Sequence, residues 1–167
     1  MTKSAPRAPG DGAAALYDLP GHLVRRCHQI SMALFHEECA DSGVTPPQYG
    51  TLRTLARHPG IDQITLAGLV ALDRTTLGDV VARLEANGLL RREASREDRR
   101  TKSLYITDAG RRLVKSLDTA VARVQRRLIA PLDASEQARF IEYLARIANE
   151  NNEYSRAPLR APRARKG

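Results

Sequence analysis

The 167-residue chain has no tryptophan, two phenylalanines, five tyrosines and two cysteines. With so few aromatic rings, any core must be built mainly from Leu, Val, Ile and Ala, and 42% hydrophobic residues supply enough of them. Two cysteines without a spacing pattern make no disulfide framework. No apolar run approaches the ~20 residues that a membrane-spanning helix needs. Residues 1–15 are rich in Ala, Pro and Gly and lack the apolar stretch of a secretory signal. The expectation is one domain, cytoplasmic, with no membrane partner. The chain also lacks a Gly-rich phosphate loop, a nucleophile motif and a His–acid pair at metal spacing. No enzyme activity, cofactor or metal site is therefore expected; His22, His28, His36 and Cys39 offer only one pair at short helical spacing, too few for a site.

Acidic residues are outnumbered, 19 against 27 Lys and Arg, which gives a net charge of +8. The excess is uneven. Residues 155–167 hold five cations and no acid, residues 1–15 a net +1, and residues 16–154 only +2. A basic, Pro-containing tail is often a solvated end, so it supports nucleic-acid binding weakly. A local cluster carries more weight: residues 91–102 contain six basic and three acidic side chains.

Helix signals recur along the chain. Residues 1–15 read as a disordered arm and 154–167 as a basic disordered tail. A first helix is predicted over 20–42, with Pro20 in its first turn and an apolar stripe of Leu23, Cys27, Ile30 and Leu34. Thr45 and Pro46 open a second helix that runs to Arg57. Asp62 can cap a third over 63–70. Thr107 caps a long helix striped by Leu113, Leu117, Val121, Val124 and Leu128, which Pro131 breaks. Asp133 and Glu136 then make a capping box for a last helix bearing Phe140, Leu144 and Ile147.

The stretch 62–107 combines these signals in a different way. Its longer helix, Arg74 to Asn87, follows the capping residue Asp73 and stops at Gly88. Leu77, Val80, Val81 and Leu84 fall on one side. The other side carries Thr75, Gly78, Asp79, Ala82, Arg83 and Ala86. A face that is merely solvated is normally full of Lys and Glu; this one is small and can lie against a grooved surface. A two-stranded hairpin over 89–106 follows, with Arg96, Glu97, Asp98, Arg99, Arg100 and Lys102 at its tip. Such a helix beside a basic hairpin points to a reader of double-stranded DNA, the helix in the major groove and the hairpin on backbone or minor groove. The stripes of helices 20–42 and 107–153 have no evident place in this middle region's core. They predict a homodimer, which suits a palindromic operator.

In order and spacing, Thr45-Pro46-Pro47-Gln48-Tyr49, Leu66-Ala67, Asp73-Arg74-Thr75-Thr76-Leu77, Arg83-Leu84-Glu85, Asn87-Gly88-Leu89, Asp98-Arg99-Arg100 and Ile106-Thr107-Asp108-Ala109-Gly110 resemble the MarR family of bacterial transcription regulators, over about 16–150. The resemblance implies a mainly α (α+β) fold: a winged helix-turn-helix (about 63–88, wing 89–106) within a domain of 16–153, with long N- and C-terminal dimerisation helices. It also implies DNA affinity tuned by a small molecule or by oxidation, usually in a repressor. Two positions depart from the family's common pattern. Ala71 stands where Gly is frequent in the turn, which is acceptable unless φ must be positive. Gly78-Asp79 stands where Thr-Arg is frequent, so the operator read may differ.

Candidate contacts follow. Arg74, Thr75 and Thr76 lie in the first turn of the reading helix, where free N–H groups favour phosphate. Thr75, Gly78, Asp79 and Arg83 are base-reading candidates. By resemblance Arg100 is the wing arginine of the minor groove and Asp98 the acid that holds it; Arg96 and Arg99 are phosphate partners. For the effector, Tyr49 and Arg53 share a helical face and suit an aromatic or phenolic acid, ring on ring and guanidinium on carboxylate, with His28 as a further hydrogen-bonding group. Cys27 and Cys39 leave a thiol-based redox regulator as an alternative, although Cys27 sits in the apolar stripe, where a thiol tends to stay protonated. A nonspecific architectural DNA-binding protein is the remaining alternative.

Overall fold

The computed structural model describes residues 16–94 and 102–161. The α-helices after the first start at side chains that satisfy free backbone N–H groups, whereas the first starts at Pro20 without a side-chain cap. Thr45 and Gln48 form a reciprocal capping box at α2 (Pro46–Arg57), after α1 (Pro20–Glu38). Asp62 accepts from the N–H groups of Ile64 and Thr65 to start α3 (Gln63–Val70), and Asp73 accepts from Thr76 N to start α4 (Arg74–Ala86). Thr107 caps α5 (Asp108–Ile129), and Asp133 with Glu136 boxes α6 (Ala134–Glu150).

The α3–α4 turn is closed by Ala71 at φ 51°, in the left-handed region. This is the condition under which alanine in place of glycine carries strain, roughly 1 kcal/mol.

The expected hairpin is β2 (Leu90–Ala94) paired with β3 (Lys102–Ile106), in register Leu90↔Ile106 and Arg92↔Leu104. A third strand, β1 (Ile61–Asp62), pairs antiparallel with the other side of β3 to give the order β1-β3-β2. Two residues are too few to show a period of two, so no pattern announced it.

Two apolar clusters lie along α5. The first joins α2, α3, α4 and the sheet through Leu52, Leu55, Leu66, Leu77, Leu84 and Leu104, each at most 1% exposed. The second packs Leu117, Ala120 and Val124 of α5 on Phe35 and Cys39 of α1 and Tyr49 of α2. Within 107–153 the α5 part departs from the expectation: Leu117 and Val124 of its stripe are covered within the chain, because α1 and α2 lean on it. Arg123 with Glu38 (2.7 Å) and Arg127 with Glu37 and Glu38 (both 2.9 Å) hold α1 beside α5.

The other two stripes stay uncovered in the single chain. Leu23, Val24, Ile30 and Met32 of α1 are exposed, as are Ile141, Leu144 and Ile147 of α6, which buries no residue at all. Cys27 is exposed with its stripe, not shielded.

The tail also differs from expectation. Residues 152–161 follow a defined path, with a short 3₁₀ turn (Asn152–Tyr154) and a backbone hydrogen bond from Arg160 N–H to Gly68 C=O. Composition alone had marked the segment as a solvated end. Among the described residues no helix is long and apolar enough to cross a membrane.

Candidate nucleic-acid interface

The α4 helix divides as its sequence predicts. Leu77, Val80, Val81 and Leu84 are buried against the first cluster, whereas Arg74, Thr75, Asp79, Ala82, Arg83 and Ala86 are exposed and Gly78 is half-buried. A Cβ at Gly78 would find only Gln63 Nε2, at 3.7 Å, an ordinary contact. Among the described residues nothing therefore requires glycine there.

Thr76 has a different role from its two neighbours. Its hydroxyl donates to Asp73 Oδ2 at 2.6 Å and its N–H to Asp73 Oδ1 at 3.0 Å. These bonds hold the Asp73 carboxyl below its usual range. Phosphate oxygens only accept, and the Thr76 hydroxyl has given its one proton to Asp73. Thr76 thus shapes the start of the helix, and the side chains left free to donate there belong to Arg74 and Thr75.

The base of the wing is tied to α4. Arg92 pairs with Glu85 at 2.9 Å, and Arg91 lies over the Tyr105 ring, 4.9 Å from its centroid, and pairs with Glu93. The tip residues Arg96, Asp98, Arg99 and Arg100 lie outside the described residues.

The end of α4 is also locked to the start of α5. Gly88, at φ 68°, ends α4, and its carbonyl accepts from Thr107 Oγ1 at 2.7 Å. Thr107 Oγ1 in turn accepts from Gly110 N at 3.1 Å. A Cβ at Gly110 would stand 2.2 Å from Leu89 O, so only glycine fits there. The end of α4 and the start of α5 are thereby held in direct contact.

A polar triangle links α2 to α5. Arg53 Nη1 donates to the Tyr49 oxygen at 2.6 Å and to Asp118 Oδ1 at 2.8 Å, and the Tyr49 hydroxyl donates to Asp118 Oδ1 at 3.2 Å. Burial pushes the Tyr49 phenol up, partly offset by the Arg53 guanidinium. Tyr49 and Arg53 are thus brought together as expected, while Asp118, which completes the set, was missed. It lies 65 residues from Arg53, and the only signal was an acid beside the buried stripe of α5.

His28 is exposed on α1, two helical turns before Phe35, and hydrogen-bonds to neither Tyr49 nor Arg53. His36 instead lines a cleft of about 440 Å³ with Phe35, Cys39, Val44 and Pro46. The Phe35 ring, which lines the cleft, lies 6.2 Å from that of Tyr49, although no member of the triangle itself lines the cleft. Cys39 is buried, and desolvation together with the Glu38 charge pushes its thiol up, away from the reactive thiolate.

The family model that matches is that of the MarR family, over residues 44–102. The transcriptional regulator HosA of Escherichia coli O157:H7 is 30% identical over 128 residues, 77% of this chain and 93% of its own. The crystal structure of the PcaV transcriptional regulator from Streptomyces coelicolor with its natural ligand matches at 39% identity and TM-score 0.77, covering 82% of this chain and 96% of that one. BpsR of Bordetella bronchiseptica, whose DNA binding is regulated by 6-hydroxynicotinic acid, matches at 26% identity and TM-score 0.76, covering 81% and 98%. With the likeness to HosA covering most of both chains, the chain belongs to the MarR family of transcriptional regulators.

Proposed function

We propose that this protein is a homodimeric, sequence-specific repressor that leaves its operator when it binds an aromatic or phenolic acid. The observation that carries the reading is α4: a helix capped by Asp73, seated on a buried inner face, with a small outer face of exposed Thr75, Asp79 and Ala82 and half-buried Gly78. Arg74 and Thr75 bind phosphate at its first turn. Thr75, Gly78, Asp79 and Arg83 meet base edges. Arg96, Asp98, Arg99 and Arg100 extend the contact through the wing. The exposed apolar stripes of α1 and α6 bury each other's counterparts across a two-fold axis.

The effector site is the Tyr49–Arg53–Asp118 triangle with the cleft bounded by Phe35. An acid's carboxylate competes with Asp118 for the Arg53 guanidinium, while its ring packs near Phe35 and Tyr49. Releasing Asp118 frees α5 from α2, and the Thr107 and Gly110 lock passes the shift to α4. That BpsR responds to a hydroxylated aromatic acid supports the choice of ligand class.

The test is a footprint on the DNA flanking the gene, repeated with aromatic acids. Protection of an inverted repeat, lost on adding one such acid, is expected. Absence of any protected repeat refutes the proposal. Asp118→Asn removes the competing charge, so release should need less acid than in the wild type; a higher requirement contradicts the competition.

A further inference from the structure

Residues 152–161 form a small built structure. The Asn152 amide brackets Leu159, accepting from its N–H at 2.7 Å and donating to its carbonyl at 3.0 Å. Inside that loop Ser155 Oγ accepts from Ala157 N–H at 3.1 Å. The loop delivers Arg160 N–H to the carbonyl of Gly68, 2.9 Å away. That carbonyl is in the last turn of α3, where backbone acceptors lack helical partners. The contact needs a bare helix surface: a Cβ at Gly68 would stand 3.0 Å from Arg160 Cβ.

The segment brings charge to the reading helix. Arg156 and Arg160 are exposed, and neither has an ion-pair partner among the described residues. Arg156 lies near enough to Asp73, the cap of α4, for its charge to assist the Thr76 bonds in holding that carboxyl down. Residues 155–167 hold five cations and no acid, so in sequence the charge continues past the docked part. A positive segment fixed on α3, beside the start of α4, is complementary to a polyanion lying on that helix.

We infer that the docked C-terminal segment is an additional DNA-contacting element, in which Arg156 and Arg160, held on α3 by the Arg160–Gly68 hydrogen bond, bind backbone phosphates beside the α4 N-terminus. This rests on the duplex-binding role of α4 proposed above. Phosphate contacts position a protein without reading sequence, and each one steepens the salt dependence of binding.

The test uses the full chain, the Arg156→Ala/Arg160→Ala double variant and Gly68→Gln, the last of which crowds the docked Arg160 without removing its charge and favours helix. Anisotropy titrations are run on a duplex from the flanking DNA and on a scrambled duplex, from about 50 to about 200 mM salt. The double variant should bind both duplexes more weakly by similar factors, with log K against log salt flattened by roughly 0.9 per lost contact. Gly68→Gln should flatten it likewise. A double variant with the wild-type slope, a loss confined to the flanking duplex, or tighter binding overturns the inference; a Gly68→Gln chain with the wild-type slope overturns the docking. A wild-type chain that binds neither duplex overturns the reading of α4 itself. Wild-type binding with unchanged variant slopes overturns this inference alone.

Discussion

Gly78→Ala separates what the fold needs from what the outer face of α4 is for. Glycine inside a helix costs about 1 kcal/mol relative to alanine. Among the described residues the added methyl group meets only Gln63 Nε2, at 3.7 Å, so no strain against them offsets that gain. The variant should therefore be more stable by about 0.5–1 kcal/mol, which for a chain of this size raises Tm by roughly 1–4 °C. If the small outer face exists to let α4 approach base edges, the same methyl group occupies space the DNA needs. Operator affinity should then fall by about tenfold or more, the ~1–3 kcal/mol scale of one disturbed base contact. Calorimetric melting and an anisotropy titration read the two effects on the same preparation. Higher Tm with unchanged affinity would refute the close approach at Gly78, and lower Tm would refute the packing described around it.

Further outcomes follow from other positions. Ala71→Gly relieves the strained φ of 51° and should raise stability by a few tenths of a kcal/mol after glycine's own entropy is set against it, whereas Ala71→Val should lower it by about 2 kcal/mol; equal Tm values for the three chains would show that the turn is unstrained. Burial pushes the Asp62 carboxyl up, but the Thr65 hydroxyl and the N–H groups of Thr65 and Ile64 outweigh it and hold it below the usual range. A depressed folded pKa gives stability that is present above the unfolded value, about 3.9, and lost as pH falls through the folded one. Asp62→Asn keeps a capping acceptor without the charge, so its stability should change less with pH below about 4; a denaturation series with parallel pH profiles would contradict this. Arg100→Ala should weaken operator binding more than tenfold at moderate salt while sedimentation still shows a dimer, and unchanged affinity would remove Arg100 from the wing contact.

The parts legible in the sequence were those fixed by neighbours in the chain. Thr45, Asp62, Asp73, Thr107 and Asp133 each cap the helix that follows them, because a cap and its N–H partners are only two or three residues apart. The two faces of α4 were readable for the same reason, since a helix repeats every 3.6 residues. What was missed depends on distant partners. Asp118 meets Arg53 only because α5 passes α2, and the α5 stripe could not be assigned to α1 and α2 from its own periodicity. The docked tail was invisible because its anchor is a backbone carbonyl of Gly68, which leaves no mark in composition. For Ala71 the sequence posed the question of φ, and only the backbone could answer it.

On the reading proposed above, α4 recognises a specific sequence in double-stranded DNA. This is tested most directly by comparing affinity for the protected flanking duplex with affinity for a scrambled duplex of equal length, at one physiological salt concentration. A specific repressor should prefer the former by roughly 10³ or more. Equal affinity for the two would refute sequence reading by α4 and leave a basic protein that binds DNA by charge alone.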